Sequence, residues 1–591
     1  MATVDAGEIL ARTLVEAGVR DVFALHGGHL DSFLQACVRH DIRLIDTRHE
    51  STAGHAAEAY ARTTGRIGVC AITAGPGFTN SYTSIANAYL DAIPVLYITS
   101  SPPLRENELN VLQGGFDQVA AAGPVTKWAH RVTHPERIPD LVALAMRTAY
   151  GGRPGPVLLD IPIDVFFSPV DESLVTRSTG FEVARSAPAP GPLQRALALL
   201  RAAERPAIIV GGGTLFPHCD AEILRFSDRT KIPVFTTGKA HGMLPVDHPA
   251  NCRGSGGLGL LQAMGTPPDV VMLLGARQGL YTAGRSGRII PHTAKLIQVD
   301  TEPAEIGRLQ QADAGLVAGC KETLQAMLDD PAPWPDRAEW CARAKAASAP
   351  FEQPFASIPA HAPSGRLHPF HAAKAIFDAF GPDVIVTIDG GETGVWAGAF
   401  SRSSAPGGVL TNGYLGALGV GFGFAVGASV AHPERRVVQV VGDGAVGFHL
   451  QEIDTMVRHK LPIVSIVFNN TVWGMSIHGQ EAIFGSGAGV IAQLNDSNYE
   501  QVAIALGGYG ERVKNFEEVG PAIQRAFDSG LPAILNVEIA PDVVHPIMGM
   551  MVGPAATPGE VVIPYYENIP APAPSPALLT PAPDRSPRGQ A

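Results

Sequence analysis

The segment RVVQVVGDGAVGFHLQEIDTMVRHKLPIVSIVFNN, residues 436–470, contains the pattern that decides the fold. Residues 436–441 and 462–468 are apolar runs with the length and β-branched content of buried strands, and a helical pattern separates them. A strand, a helix and a second strand in this order are typical of a parallel sheet covered by helices. Ligands of such sheets bind beyond the carboxyl ends of the strands, where Asp443 and Asn470 are expected.

The residues around these two strand ends have the chemistry of a metal and phosphate site. The Asp443 carboxylate and the Asn470 amide oxygen are hard donors that suit octahedral Mg²⁺. Gly442 and Gly444 allow backbone N–H groups to approach a diphosphate, and the following helix adds its N-terminal dipole. An ordinary turn would explain the GDG triplet alone, but its coupling to the Asn pair after a complete helix and strand favours the metal site.

Two further blocks of the chain repeat the alternation of strands and helices, and Pro/Ala-rich joints at residues 187–192 and 347–364 separate the blocks. The predicted fold class is α/β, with three doubly wound parallel-sheet domains and a Pro/Ala-rich C-terminal tail. The predicted domain boundaries are 1–180, 190–345 and 365–545, followed by a tail at 546–591.

Composition excludes several classes of function. The 591 residues carry a net charge of −12, and there is no Lys/Arg-rich run, so we expect no nucleic-acid partner. The six cysteines are scattered, so a disulfide framework and a cysteine zinc site are not expected. The first residues lack the basic and apolar regions of a secretory signal, which predicts a cytoplasmic protein.

An uncharged stretch at residues 415–431 needs a separate explanation, because a membrane-spanning helix requires about 20 apolar residues. The stretch is shorter than that and contains five glycines at small-residue spacing. These features favour a buried helix packed closely against another backbone, and we expect no membrane partner.

With the GDG and NN motifs, the chain resembles thiamine-diphosphate (ThDP) enzymes of the acetolactate synthase and pyruvate decarboxylase superfamily. The resemblance implies a pyrimidine-binding, a central and a diphosphate-binding domain. It also implies that Mg²⁺ is held by Asp443, Asn470 and the backbone carbonyl of Val472. Leu418 falls where the family places the apolar side chain that bends the cofactor into a V shape. The other cofactor contacts implied in this half of the chain are Gly390, Gly391, Gly416, Gly442, Gly444, Ala445, Val446, Trp473, Gly474 and Met475.

Glu50 lies where a predicted strand ends and a predicted helix begins. The resemblance implies that it belongs to the part of the site that contacts the aminopyrimidine ring of the cofactor. In the family a carboxylate at this place bonds N1′ of the aminopyrimidine, so that N4′ can remove the thiazolium proton. The helix dipole would favour a negative charge at this position even if Glu50 had no catalytic role, but the family match favours the catalytic interpretation. Thr73 and Gly75 resemble the family's loop beside the pyrimidine ring.

Within the superfamily, the chain most resembles benzaldehyde lyase, chiefly in the first domain but also at residues 413–416 and 473–474. The matching segments are HGGH at 26–29 (with Gly28 in place of Ala), IDTRHE at 45–50, GHAAE at 54–58, QGGFDQ at 113–118 and TKWAHR at 126–131. By this likeness His29 and Gln113 bind the donor oxygen and relay protons, with His26 nearby. Histidine suits a proton relay because its pKa lies near neutrality.

The substrate pocket departs from benzaldehyde lyase at five positions. Gly394, Asn412, Ile163 and Gly479 stand where that family has Tyr, His, Trp and Phe, and Met475 stands where it has Ala. Three lost aromatic rings weaken the case for a benzaldehyde-type substrate, although Met475 partly refills the space with a flexible side chain. Small aldehydes, ketones or 2-oxo acids are therefore equally plausible substrates.

The resemblance implies a ThDP- and Mg²⁺-dependent lyase or carboligase that reversibly makes or breaks the C–C bond of 2-hydroxy ketones, through a C2 ylide and an enamine carbanion. Three alternatives stay open. The first is acetolactate synthase activity on pyruvate, and the second is a 2-hydroxyacyl-CoA lyase, against which Gly479 counts because an acid is expected there. The third is a catalytically silent cofactor-binding homologue, which intact Glu50, Asp443 and Asn470 make the weakest.

The family also implies an oligomer, since Glu50 and the GDG motif that serve one cofactor come from different subunits. We expect a homodimer as the minimum and a homotetramer as the full assembly. The apolar tail residues 546–551 and 563–566 suggest a lid over the site or a strip across a subunit interface, followed by a mobile end.

The central domain resembles the one that binds FAD in acetolactate synthases and ADP in oxalyl-CoA decarboxylase-like enzymes. The similar segments are residues 211–213, residues 275–277 and Asp300. Residues 277–280, RQGL, depart from the RFDD pattern of the synthases. A glycine turn alone is weak evidence for a nucleotide, so a central domain without FAD or ADP is favoured.

Overall fold

The computed structural model describes residues 3–106, 109–284, 286–347, 355, 357–554, 559–563 and 566–570. The described chain forms three six-stranded parallel sheets, one in each of three consecutive α/β domains. The central strands are buried at every residue, as expected when helices cover both faces of a parallel sheet. The predicted fold class is confirmed.

The first domain has the strand order β3-β2-β4-β5-β7-β6, and a two-stranded antiparallel ribbon of β1 and β8 lies beside it. Its strands are β1 (Thr3–Asp5), β2 (Asp21–Ala24), β3 (Arg43–Asp46), β4 (Gly68–Ile72), β5 (Val95–Ser101), β6 (Trp128–Arg131), β7 (Val157–Pro162) and β8 (Pro169–Asp171). Its helices are α1 (Ala6–Glu16), α2 (Asp31–Arg39), α3 (Glu50–Thr64), α4 (Pro76–Asp91), α5 (Gln118–Ala122), α6 (Ile138–Tyr150) and α7 (Ile163–Phe166).

The second domain has the strand order β11-β10-β9-β12-β13-β14. Its strands are β9 (Pro206–Val210), β10 (Val234–Thr236), β11 (Asn251–Gly254), β12 (Val270–Leu274), β13 (Lys295–Asp300) and β14 (Ala314–Val317). Its helices are α8 (Pro190–Ala202), α9 (Asp220–Thr230), α10 (Gly256–Ala263), α11 (Cys320–Asp329) and α12 (Ala338–Ala347).

The third domain has the strand order β16-β15-β17-β18-β20-β19. Its strands are β15 (Ile385–Asp389), β16 (Val409–Thr411), β17 (Val437–Gly442), β18 (Val464–Asn469), β19 (Tyr509–Val513) and β20 (Ala533–Glu538). Its helices are α13 (Pro369–Asp378), α14 (Glu392–Gly398), α15 (Val420–Ala431), α16 (Asp443–Val446), α17 (Glu452–Arg458), α18 (Gly474–Phe484), α19 (Tyr499–Ala505) and α20 (Val519–Asp528).

The tail contains regular structure among its described residues. It forms the short helix α21 (Met548–Met551) and an antiparallel sheet of β21 (Gly553–Pro554), β22 (Glu560–Ile563) and β23 (Tyr566–Pro570). The His545 backbone N–H donates to Glu392 Oε1 over 2.7 Å, which ties the tail to α14. The mobile end expected beyond this sheet, residues 571–591, lies outside the described residues.

Three elements differ from their sequence predictions for local reasons. The glycine-rich helix begins at Val420 instead of 415, because Gly416 and Gly419 have left-handed backbones that a helix excludes. The helical pattern between the two strands of the opening segment forms α17, residues 452–458, preceded by turns. Helix α8 begins inside the predicted joint at Pro190, since proline is tolerated in the first helical turn. None of the helices in the described part of the chain combines the length and apolar character that a membrane crossing requires.

Helices α3 and α15 join the first and third domains by close backbone packing. A Cβ on Gly423 would lie 2.9 Å from the Thr52 carbonyl oxygen, and a Cβ on Gly427 would overlap the Ala56 carbonyl. Glycine at both positions therefore lets the two helix backbones approach more closely than any side chain would allow. The buried glycine-rich helix expected from the sequence has this role.

A polar contact extends the same junction. The Arg48 N–H donates to both carboxylate oxygens of Glu452, at 3.0 and 3.1 Å. The His49 and His449 rings are 5.1 Å apart, and His449 Nδ1 lies 2.9 Å from the Gly419 carbonyl oxygen. Because a carbonyl only accepts, His449 carries its hydrogen on Nδ1 when neutral.

The glycine contact gives a stability prediction. Replacing Gly427 by alanine forces a methyl group into the Ala56 carbonyl, and overpacking of this kind costs about 1–3 kcal/mol. We expect Tm to fall by several degrees in differential scanning fluorimetry. Gly520→Ala in α20 is the matched control, since its Cβ meets nothing within 4 Å. An equal fall in both variants would contradict the close-packing explanation.

Buried His449 predicts a pH effect on stability. Burial lowers its pKa to about 4, and the neighbouring His55 and His49 act in the same direction. An unfolded histidine has a pKa of about 6.5, so below that pH the unfolded state binds a proton that the folded state excludes. The folded protein therefore loses about 2 kcal/mol from this group at pH 5.

A glutamine at position 449 removes this proton linkage. We expect His449→Gln to have a lower Tm than the unsubstituted protein at pH 7.5 and the difference to narrow at pH 5. His134→Gln, at an exposed histidine, is the control and is expected to give the same difference at both pH values. A Tm difference for His449→Gln that does not change with pH would show that the pKa of this residue is the same in the folded and unfolded states.

Candidate functional site

The two predicted metal ligands lie at the same edge of the third sheet. Strands β17 and β18 are neighbours with Gly442 paired to Phe468, so Asp443 and Asn470 follow adjacent strand ends. Asp443 Oδ2 accepts the Thr471 N–H at 2.6 Å, which ties the GDG turn to the Asn pair. The strand order alone places these two turns together, as the sequence predicts.

The environment of Asp443 suits a cation. The residue is only 4% exposed, and burial raises the pKa of its carboxyl group to about 7. The Gly444 N–H donates to Oδ1 at 3.0 Å, and the Tyr499 hydroxyl donates to the Asp443 carbonyl at 3.2 Å. A bound divalent ion would favour the ionised carboxylate and so compensate for its burial.

Among the described residues, no group of three His, Cys, Asp or Glu side chains could hold a metal ion. The donor set at this edge is instead one carboxylate, one amide and a backbone carbonyl. Asn470 Oδ1 accepts the Val472 N–H at 3.2 Å, and the positive φ of 61° at Thr471 turns the chain between them. Such a mixed oxygen set suits Mg²⁺ with phosphate and water as further ligands.

The glycines of the motif allow close packing around this turn. A Cβ on Gly444 would lie 2.5 Å from the Trp473 ring, and one on Gly474 would lie 2.6 Å from Glu392 Oε2. Ala445 and Val446 complete the short helix α16. These residues form one compact wall beside the strand ends.

Gly390 and Gly391 lie at the same edge, because they follow β15, which pairs with β17. A Cβ on Gly391 would lie 2.8 Å from Cβ of Met475. Gly416 and Leu418 lie in the loop between β16 and α15, and Leu418 packs partly buried against the main apolar core. The structure thus brings the predicted diphosphate-side residues to one region of the third domain.

Glu50 is the first residue of α3, where the helix dipole favours a carboxylate. It is only 6% exposed, and Asn80 Nδ2 donates to its Oε2 at 3.0 Å. Among the hydrogen bonds of the described residues, none engages Oε1, so this oxygen remains for a further donor. Asn80 gave no signal in the sequence, since it lies mid-helix in α4.

Thr73 and Gly75 follow β4, and Thr73 contacts the loop at residues 26–29. A Cβ on Gly27 would overlap the Thr73 side chain, and Thr73 Oγ1 is buried without a hydrogen-bond partner among the described residues. The Gly75 N–H donates to Gln118 Oε1 at 2.7 Å, and Gln118 Nε2 donates to the Ser100 carbonyl at 2.8 Å. Gln118 therefore fixes the turn, a role that the sequence analysis missed.

Gln113 lies against this turn, since a Cβ on Gly75 would be 3.0 Å from the Gln113 Cα. Its backbone has a positive φ of 61°, and its buried Oε1 has no partner within the described residues. His29 is half-buried, and burial lowers its pKa. His26 is 70% exposed and lies 3.0 Å from Asp31. These groups lie on the first domain, whereas Asp443 and Asn470 lie on the third.

Asp389, at the end of β15, is a further buried acid that the sequence analysis missed. It is fully buried, and burial raises the pKa of its carboxyl group to about 6 although it accepts the Gly421 N–H at 2.8 Å. The rule that drew attention to Asp443, a polar residue at a strand end before glycines, would also have found Asp389.

A cleft opens between the central domain and its two neighbours. Gly212, Gly213, residues 275–277 and Asp300 line it, so all three predicted segments of the central domain meet there. The basic residues Arg153, Lys239 and Arg277 also line it. The Arg277 guanidinium lies 4.3 Å from the Tyr414 ring centre, which places it on the wall formed by the third domain.

Comparison with known proteins agrees with this three-domain arrangement. Residues 4–121 match the N-terminal TPP-binding domain of thiamine pyrophosphate enzymes, residues 193–327 the central domain, and residues 389–537 the C-terminal TPP-binding domain. An acetolactate synthase large subunit of Mycobacterium tuberculosis is 35% identical, over 92% of this chain and 97% of that protein.

Two other relatives have similar coverage. Acetolactate synthase isozyme 1 large subunit of Escherichia coli is 31% identical, over 94% of this chain and 97% of its own. The human 2-hydroxyacyl-CoA lyase 2 is 30% identical, over 90% of each chain. With all three domains matched in order, this chain belongs to the thiamine pyrophosphate enzymes, whose cofactor is ThDP.

Proposed function

We propose that the protein is a ThDP- and Mg²⁺-dependent lyase or carboligase that makes or breaks the C–C bond of 2-hydroxy ketones. The observation that supports this most directly is the joined pair of turns at Asp443 and Asn470, which combines hard oxygen donors with glycine-lined backbone. When bound, ThDP supplies the nucleophilic carbon of this chemistry.

The residues on the third domain fit the diphosphate end of the cofactor. Asp443, Asn470 and the Val472 carbonyl would hold Mg²⁺, and the backbone around residues 442–446 would approach the phosphates. Gly390, Gly391, Trp473, Gly474 and Met475 would form the surrounding wall. The raised pKa of Asp443 agrees with this assignment, because a buried carboxylate without a counter-charge binds its proton more tightly.

On the first domain, Glu50 would hold or release a proton at the aminopyrimidine through its Oε1, while Asn80 fixes Oε2. His29 and Gln113 would bind the substrate oxygen and move protons near it. The orphan Oε1 of Gln113 and the orphan hydroxyl of Thr73 support a ligand at this place, because buried polar atoms normally have partners.

The walls of the site offer no stacking partner for an aromatic substrate at Gly394. Within 4 Å, a Cβ on Gly394 would meet only Ile388 Cγ2, at 3.8 Å, so no aromatic ring of the described residues is that close. Asn412 lies on the wall of the central cleft. Small aldehydes, ketones or 2-oxo acids are therefore the proposed partners, and the closeness to benzaldehyde lyase stays a prediction.

Acetolactate synthase activity on pyruvate is the second candidate, because two of the relatives described above carry that name. A 2-hydroxyacyl-CoA lyase is a third, in view of the human relative. The expectation that the central domain binds neither FAD nor ADP stays a prediction. A flavin absorbance band in the purified protein would contradict it for FAD.

We propose a homodimer as the minimum working unit, with Glu50 of one copy facing Asp443 of the other, and a homotetramer as the full assembly. Exposed apolar side chains near both halves support this. Leu112 is 84% exposed and Phe116 45% exposed near Gln113, and Phe448 is 51% exposed five residues after Asp443. Apolar residues so exposed on a single chain are typical of a surface that a partner covers.

The substrate prediction is tested with a panel. The purified protein with ThDP and Mg²⁺ is incubated with benzoin, acetoin, benzaldehyde, pyruvate, formaldehyde and 2-hydroxyacyl-CoA thioesters, and products are identified by mass spectrometry. We expect cleavage of a 2-hydroxy ketone or coupling of free aldehydes without release of CO₂. Acetolactate and CO₂ formed from pyruvate alone would instead support the synthase.

The site prediction is tested by two isosteric variants. Glu50→Gln removes a proton-transfer group, so we expect kcat to fall by about 10²–10⁴-fold while ThDP still binds. Asp443→Asn removes the charged metal ligand, so we expect the Mg²⁺ and ThDP affinities to fall instead. Glu182→Gln, at an exposed glutamate, is the control. Unchanged kcat in Glu50→Gln would remove this residue from the mechanism.

A further inference from the structure

The loop between β16 and α15 carries Gly416 and Leu418, two residues proposed to contact ThDP, and its C-terminal end is held by its own domain. The Gly421 N–H donates to Asp389 Oδ2 at 2.8 Å, and His449 Nδ1 donates to the Gly419 carbonyl at 2.9 Å. Both partners belong to the third domain. The start of the loop is held in a different way.

At its start the loop contacts a residue of the first domain. Asp91 is the last residue of α4, and its Oδ1 accepts the Tyr414 N–H at 3.2 Å. A Cβ on Gly413 would overlap the Asp91 carboxylate, so glycine is needed for this approach. The Arg62 guanidinium bonds Asp91 and also donates to the Thr411 carbonyl at 3.1 Å, at the end of β16.

The Asp91 carboxylate lies in a balanced cluster of buried charges. Arg62 pairs with Glu58 and Asp91, and Lys239 Nζ of the central domain lies 3.2 Å from Asp91 Oδ1. Lys239 also donates to the Asp91 carbonyl at 2.7 Å. Burial would raise the pKa of Asp91, but Lys239 and Arg62 outweigh burial and lower it.

Two acids and two bases thus meet where the three domains touch. Asp91 is only 3% exposed, and removing one partner from such a buried pair costs about 3–5 kcal/mol. A contact of this kind fixes its neighbours more firmly than an exposed ion pair would. Among the hydrogen bonds of the described residues, Asp91 is linked to the backbone of the loop only through the Tyr414 N–H.

We propose that Asp91 is a positioning residue, which fixes the start of the loop and thereby holds Leu418 and Gly416 in place for the cofactor. The proposal rests on the assignment of those two residues to ThDP binding in the proposed function. Asp91 itself lies on the first domain and acts only through the loop. The orientation of the cofactor-binding loop then depends on the docking of the first and third domains.

The test compares a double and a single variant. Asp91→Ala/Lys239→Met removes the carboxylate together with the lysine that would otherwise lose its partner, while Arg62 keeps Glu58. Lys239→Met alone keeps the bond between Asp91 and Tyr414. Hydrogen–deuterium exchange of peptides covering 412–418 is measured by mass spectrometry on the full chain without cofactor. Circular dichroism and Tm show that both variants are folded.

We expect hydrogen–deuterium exchange in this loop to become about tenfold faster in the double variant. A tenfold change corresponds to about 1.4 kcal/mol, which is close to the contribution of one hydrogen bond to a charged group. Lys239→Met is expected to leave the loop unchanged. Gly413→Ala is a second variant that keeps every charge and displaces the carboxylate, and it should act like the double variant. Equal exchange in the double variant and Lys239→Met would overturn the proposal.

The cofactor-loaded enzyme supplies the second readout. We expect kcat to fall by about 100-fold in the double variant, the effect expected when reacting groups are misplaced by about 1 Å. KM and the Mg²⁺–ThDP dissociation constant are expected to stay within about threefold of the values for the unsubstituted protein. A loosened loop with unchanged kcat would overturn the positioning role. Failure of the proposed function is recognised separately, because the unsubstituted protein would then show no ThDP-dependent C–C chemistry while its loop remained protected.

Discussion

The close contact between helices α3 and α15 is the constraint on which the site depends. Glycines at 423 and 427 bring the backbone of α15 against Thr52 and Ala56, so the first and third domains meet without intervening side chains. Helix α3 begins with Glu50, and α15 follows the loop that carries Leu418. One helix–helix contact therefore sets the relative position of two half-sites within the chain, which in the proposed homodimer serve different cofactors.

Parallel sheet topology supplies the second constraint. Because all strands of a parallel sheet end at the same edge, polar residues that directly follow β15, β17 and β18 are collected there regardless of their distance along the chain. Asp443 and Asp389 are both buried at this edge, and in both burial raises the carboxyl pKa. Uncompensated buried acids are costly in a folded protein, and they are typical of sites whose charge is balanced by a ligand.

Buried charges at the domain junction are arranged differently. Arg62, Glu58, Asp91 and Lys239 neutralise one another, and they connect α3 and α4 with the central domain. A balanced cluster of this kind keeps its charges without a ligand, whereas Asp443 and Asp389 at the sheet edge have hydrogen bonds but, among the described residues, no ion pair. The contrast separates charges that hold domains together from acids buried at the edge of the third sheet.

The sequence by itself determined the fold class and the pairing of Asp443 with Asn470, because strand and helix periodicity and strand-end position are local properties of the chain. The family was implied by the resemblance of its GDG and NN motifs. The sequence did not reveal the roles of Asn80, Gln118 and Asp91. Their hydrogen-bond partners are Glu50, Gly75 and Tyr414, which lie 30, 43 and 323 residues away along the chain, respectively. The sequence also placed the start of α15 too early, since nothing local distinguishes a glycine with a left-handed backbone from one in a helix. Only the tertiary structure decided these features, because they depend on which side chain of a distant segment reaches a given backbone group.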